Sequence, residues 1–191
     1  EGFNTDAEGF LRHLSGVLGF DPRGKTISMI GAGGAARAVS VYLAKNRPAV
    51  LNIYDLDKAR LSTLVAYLSN NFRDMGIRQA NSIAELDIKK CDLLINATPV
   101  GMKLSDPCLV NASMIHKDLL VYDLIYNPKE TKLLKLAREN GARTSNGLGM
   151  LLYQGMASFE IWTAQKAPQE AMQKALEGAL SRAGFNKEHA G

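Results

Sequence analysis

Hydrophobic positions along this chain follow two alternating habits. Short apolar runs of strand length are separated by longer stretches in which apolar residues recur every three or four positions. Thr26–Ile30, Val50–Tyr54, Cys91–Asn96 and Asp118–Leu124 are runs of the first kind. Ile77–Ala80 is shorter and more polar, which suits a strand near a sheet edge, and Arg143–Ser145 makes a brief sixth strand. Helical spacing marks Ala7–Leu18, where Phe10, Leu11, Leu14, Val17 and Leu18 share a face, and Asp6 is placed to cap it. Further helices are predicted over Ala35–Lys45, Lys58–Leu68, Thr131–Asn140 (closed by Gly141), Met150–Trp162 and Pro168–Arg182. Ser82–Leu86 reads as one helical turn, Ser105–Lys117 as loop with a short helix, and Ala183–Gly191 as frayed. The Met150–Trp162 stretch is apolar around most of its circumference, so it should be buried on more than one side, with a partner for the Gln154 amide.

Strands alternating with helices imply a mostly parallel sheet covered on both faces. With six strands and a glycine turn after the first, the expected fold is α/β: a doubly wound Rossmann sheet of order 3-2-1-4-5-6. The expected division is a helical segment over 1–24, a dinucleotide-binding domain over 25–150, and packing helices over 151–191.

The glycine turn is Gly31-Ala32-Gly33-Gly34-Ala35. Gly31 permits the sharp turn, and Gly33 lets a diphosphate approach the backbone without meeting a Cβ. The following helix offers free N–H groups and the positive end of its dipole. The pattern alone is weak; strand before and helix after strengthen it. Asp55, 22 residues beyond Gly33, closes the second strand where a carboxylate reaches an adenosine ribose and repels a 2′-phosphate. Asp57 is assigned the cap of the next helix and Asp55 the ribose, an assignment that favours NAD. Lys58 and Arg60 stand nearby and leave NADP open. Thr98 and Pro99 lie in the loop after the fourth strand, where a nicotinamide would pass.

Composition removes other classes. The 23 basic and 19 acidic residues are dispersed, with no basic run, so no nucleic-acid partner is expected. No apolar run has the length of a membrane span. Two cysteines (91 and 108) and three histidines (13, 116 and 189) have no ligand spacing, so no metal is expected and a reducing cytoplasmic setting is the default.

Five segments carry a resemblance: Asn4-Thr5-Asp6 with Gly9, Gly31–Ala35, Asn96–Met102, Tyr122–Pro128 and Asn146–Gly155. In this order they resemble the shikimate dehydrogenase family, including its quinate/shikimate branch. The resemblance implies hydride transfer between NAD(P) and shikimate/3-dehydroshikimate or quinate/3-dehydroquinate. It places the partner of a catalytic lysine on Asp6 and substrate contacts on Tyr126 and Gln154. Cofactor contacts fall on Gly31, Ala32, Gly33, Gly34 and Ala35, on the segment containing Asp55, Leu56, Asp57, Lys58 and Arg60, and on Leu124 and Gly147.

The chain departs from the family pattern twice. The Asn-Arg-Thr clamp of NADP-using members is replaced by Asp55-Leu56-Asp57, which again favours NAD. Members also carry a substrate domain of roughly a hundred residues, a typical domain size, ahead of the Asn-Thr-Asp segment. Here that segment begins at the fourth residue, and no lysine matches the catalytic one; Lys25 falls at the wrong end of the sheet. The chain therefore reads as the C-terminal nucleotide-binding part with the N-terminal substrate domain missing, expected to be inactive alone. Apolar helix faces left by that domain would be exposed or covered by a second copy, as a homodimer. Two alternatives stay open: a non-catalytic dinucleotide-binding regulatory module, and another two-domain dehydrogenase of the folate or glutamyl-tRNA reductase type.

Overall fold

The computed structural model of the chain describes residues 4–185. Six strands form one parallel sheet: β1 (Thr26–Ile30), β2 (Val50–Tyr54), β3 (Gly76–Gln79), β4 (Leu93–Asn96), β5 (Leu120–Asp123) and β6 (Arg143–Ser145). Their order is β3-β2-β1-β4-β5-β6, the doubly wound order expected from the sequence. The helices are α1 (Thr5–Gly16), α2 (Gly34–Lys45), α3 (Lys58–Asn71), α4 (Lys132–Glu139), α5 (Leu148–Thr163) and α6 (Gln169–Phe185).

Strand alternation divides the core. Ile27 and Met29 of β1, Leu51 and Ile53 of β2, Leu93 and Ile95 of β4, and Leu120 and Tyr122 of β5 pack with Phe10, Leu14 and the α2–α3 residues Val39, Leu43 and Leu61. The intervening residues Ile30, Leu94 and Val121 pack with Leu133, Leu134 and Ala137 of α4 and with Leu86 and Ile88. A buried polar seam crosses this second face. Ser28 and Asn52 stand in register, and Ser28 Oγ and Asn52 Nδ2 both donate to the Leu86 carbonyl (2.7 and 3.4 Å). It holds the 3-10 turn Ala84–Leu86 to the sheet.

α1 and α5 cross closely because Gly9 has no side chain: a Cβ there would stand 2.5 Å from the Gln154 nitrogen. His13 Nδ1 lies 2.7 Å from the Tyr122 hydroxyl, which also takes a bond from the Met150 backbone, tying α1, β5 and the start of α5 together. Burial pushes the His13 pKa down and so favours the neutral ring at this junction. Arg12 adds ion pairs to Glu8 and, across to α5, to Glu160.

Four local expectations need correction. Asn4, not Asp6, caps α1: its side chain accepts from the Asp6 N–H at 3.0 Å, so Asp6 is a first-turn residue. The apolar surface of α5 is buried only toward its start, at Met150, Leu152, Met156 and Ala157, while Trp162 is 83% exposed. The Gln154 amide is half-buried and bonds no described side chain, so it is not the fully buried amide that would need a partner. The last helix continues to Phe185 where fraying was expected from Ala183; the rest of that stretch, and His189, lie outside the described residues. The description also begins after the first three residues.

Candidate functional site

The carboxyl ends of β1, β2, β4 and β5 carry the loops that surround one crevice. β1 stops at Ile30 because Gly31 turns away with φ of +113°, and a Cβ there would stand 2.7 Å from the Ala97 carbonyl. The glycine turn and the loop after β4 are thereby in backbone contact. Around Gly33 and Gly34 nothing stands within 4 Å of an added Cβ. The start of α2 therefore leaves room for a ligand beside its first two glycines. A diphosphate fits there: orphan donors, helix dipole and room coincide.

Asp55 lines the crevice at the end of β2. One carboxylate oxygen accepts from the Ala32 N–H at 2.6 Å and the other from the Asp57 N–H at 2.8 Å. Asp57 caps α3 through the Arg60 N–H (3.0 Å) and pairs with the Arg60 guanidinium at 3.3 Å. Lys58 lies over the Tyr54 ring and donates to the Asn81 carbonyl at 3.0 Å. Leu56 is 83% exposed. Both cations near Asp55 thus already have partners. A cavity of about 310 Å³ opens here, with Gly31, Gly33, Asp55, Leu56, Arg60, Thr98 and Pro99 on its walls. Ile30, Tyr54, Ile83, Ala97, Val100 and Leu109 complete it; sequence reasoning named none of these six as site residues. Their one signal was position, since each follows or ends a strand at the crevice end of the sheet.

A second cavity, of about 320 Å³, shares Ala97 and Thr98 with the first and continues to Ala35, Met102, Leu124 and Tyr126. Gly147 lines neither cavity. It is buried against the Leu124 carbonyl and fixes the start of α5 instead. Ala32 is likewise buried, and Gly34 and Lys58 are exposed outside both cavity walls.

Beneath the shared wall lies a group that sequence reasoning missed. Asp123 is fully buried at the end of β5, in register with Asn96 at the end of β4. Its Oδ1 accepts from Asn96 Nδ2 at 3.0 Å and from the Ile125 N–H at 3.1 Å, and its Oδ2 from the Thr131 hydroxyl at 2.7 Å. Burial pushes its pKa up to about 6 against the opposing pull of those bonds. Asn96 Oδ1 in turn accepts from the Thr98 hydroxyl (2.7 Å) and N–H (3.0 Å).

The substrate-side candidates are less closely assembled. Tyr126 is 42% exposed at the mouth of the second cavity. Asp6 on α1 and Gln154 on α5 line neither cavity, although they are neighbours across the helix crossing: Gly9, one turn after Asp6, rests on the Gln154 backbone. The described residues hold no cluster of three metal-ligating side chains, and no described helix is long and apolar enough to cross a membrane.

Sheet order, glycine turn and crevice define a Rossmann domain of the dinucleotide-binding class. Residues 147–177 match the family model described as the shikimate 5'-dehydrogenase C-terminal domain. The chain is 44% identical over 180 residues to the shikimate dehydrogenase (NADP(+)) of Methanopyrus kandleri, covering 92% of this chain and 62% of that one. Shikimate 5-dehydrogenase from Listeria monocytogenes, solved with shikimate and NAD, superposes with a TM-score of 0.83 at 33% identity, over 90% of this chain and 62% of that one. Quinate dehydrogenase from Corynebacterium glutamicum, solved with NAD, gives 0.83 at 30% identity, over 93% of this chain and 63% of that one. The chain belongs to the shikimate dehydrogenase family. It spans less than two thirds of the length of these three relatives.

Proposed function

We propose that this chain is the cofactor-binding part of an NAD-preferring shikimate or quinate dehydrogenase. The observation that carries the reading is the crevice that runs from Asp55, past the uncrowded Gly33–Gly34 start of α2 and Thr98, to Tyr126. A dinucleotide laid along it places its diphosphate at the start of α2 and its nicotinamide against Thr98, Pro99 and Leu124. The carboxylate of Asp55 accepts from ribose hydroxyls and repels a 2′-phosphate, and no unpaired cation among Lys58 and Arg60 compensates. NADP use by relatives such as the Methanopyrus enzyme is the competing expectation for this site.

When bound, the nicotinamide supplies the hydride acceptor. Oxidising a ring alcohol also releases a hydroxyl proton, so an acid/base must stand beside the carbon that loses hydride. Asp6 takes the role of partner to that base, and Tyr126 and Gln154 hold the substrate. The base itself, a lysine, comes from a segment that this chain does not span.

The test joins this chain to the part of the Listeria enzyme that it does not span. NAD reduction is then followed with shikimate and with quinate. The chimera turns over and its Asp6→Asn variant falls by at least about 100-fold, the lower range for a general acid/base. The chain alone shows no turnover. A folded chimera that binds NAD but oxidises neither substrate would contradict the reading.

A further inference from the structure

The Asp123 network has no part in the chemistry above, yet it lies directly under the nicotinamide half of the crevice. We propose that Asp123 is a positioning residue which, through Asn96, holds Thr98 and the 97–102 loop against the glycine turn in the geometry that accepts a dinucleotide. The inference rests on the dinucleotide reading of the crevice.

A chain of contacts carries it. Asp123 orients the Asn96 amide by accepting from Nδ2, which leaves Asn96 Oδ1 facing the Thr98 hydroxyl and N–H. Thr98 Oγ1 then accepts from the Val100 N–H at 3.1 Å, and Asn96 Nδ2 also reaches the Val100 carbonyl at 3.1 Å, so the loop is pinned at both ends. Thr98 and Ala97 form the wall common to both cavities, and they are the groups that a side chain at Gly31 would strike. On the other side, the Thr131 hydroxyl that donates to Asp123 also caps α4 by accepting from the Leu134 N–H. Asp123 therefore joins α4, β4 and the glycine turn.

Every described group that hydrogen-bonds Asp123 is uncharged. Asn96 comes from β4, Thr131 from the cap of α4 and the Ile125 N–H from the loop after β5. On the neighbouring loops, Lys132 is turned to the Asp106 carbonyl, and the Asp106 carboxylate is held by the Gly101 and Lys103 N–H groups. Asn146, which follows β6, is occupied by the Leu148 N–H and the Lys129 carbonyl. A carboxylate that accepts only from neutral donors in a buried site is poised to take a proton in mildly acidic solution, with its raised pKa near 6. The proton would sit on Oδ2, reverse the Thr131 bond and turn Oδ1 into a weaker acceptor for Asn96.

The experiment titrates this chain with NAD at pH values from 5 to 8, and follows the Thr98 and Gly31 amide resonances of the free protein over the same range. Wild-type affinity falls roughly fivefold toward pH 5, since charge-assisted bonds are about twice as strong as neutral ones. The Thr98 and Gly31 resonances shift with a midpoint near the Asp123 pKa of about 6. Asp123→Asn abolishes both dependences and binds weakly throughout. Thr131→Val removes one donor to the carboxylate and moves the midpoint upward, whereas Thr131→Ser leaves it in place; a purely structural role for Asp123 would leave NAD affinity and the Thr98 resonances without a midpoint that follows these substitutions. NAD binding at pH 8 that stays flat within twofold down to pH 5, with Thr98 resonances unmoved, overturns the inference alone. Absence of NAD binding at pH 8 overturns the crevice reading and this inference with it.

Discussion

The two ends of the crevice are built in opposite ways. At the cofactor end, the turn, the second strand and the loop after β4 lock one another by short bonds: Asp55 to Ala32, Asn96 to Thr98, and Gly31 in contact with Ala97. At the substrate end, Asp6, Tyr126 and Gln154 sit partly exposed on α1, a loop and α5. Preorganised donors and acceptors need no further element to take a ligand, whereas scattered groups on helix surfaces do. On the proposed reading, the contrast assigns cofactor binding to this chain and leaves substrate binding to a longer assembly.

The largest effect expected is at the turn. Gly31→Val would force a β-branched residue into a positive-φ conformation and into the Ala97 carbonyl. A loss of about 3 kcal/mol or more is expected from combined strain and clash, read by urea denaturation, together with loss of NAD binding. A folded variant with unchanged NAD affinity would show that the locked turn is not what receives the diphosphate.

The next effect concerns Asp123 and pH. Its folded pKa of about 6 lies above its ordinary 3.8, so the native state holds the proton more tightly than the unfolded chain does. Its contribution to stability is therefore fully present below the ordinary value and is lost as pH rises through about 6. Between pH 7 and pH 4 the wild type should gain about 2.4 kcal/mol relative to Asp123→Asn, measured as the difference between the two proteins' pH–stability curves. Parallel curves would mean that burial does not disfavour the charge. That this cost is carried at neutral pH fits a group retained for the crevice rather than for stability.

A smaller effect separates the two acidic positions on the adenosine side. Asp55→Ala should weaken NAD binding by about 2 kcal/mol, the scale of a charged hydrogen bond, with less effect on NADP, so that cofactor preference narrows. Equal losses for both cofactors would assign Asp55 to the turn alone. The smallest effects lie at the substrate end. Asn4→Ala should cost about 1 kcal/mol as a lost helix cap, while Gln154→Ala should change stability and NAD affinity by less than about 0.5 kcal/mol. A large effect of Gln154→Ala on NAD would erase the contrast between the ends.

The sheet was legible because its signals are local. Strands β1, β2 and β6 begin and end where the apolar runs and turn residues place them, and the glycine turn with Asp55 22 residues past Gly33 marked the crevice. What was not legible depended on which segments become neighbours. Asp6 and Asn4 are both competent caps, and only the actual first turn of α1 decides for Asn4. The periodicity of α5 gives the apolar faces but not which of them finds a partner, so the exposure of Trp162 could not be read. Asn96 and Asp123 each end an apolar run, 27 residues apart, and become a pair only once β4 and β5 are placed side by side in register.

The most direct test of a self-sufficient, NAD-selective crevice is calorimetric titration of this chain with NAD and with NADP at matched ionic strength and pH 8. NAD binding at least about tenfold tighter, a difference of about 1.4 kcal/mol, is the predicted result. Tighter binding of NADP, or no binding of either, would contradict it.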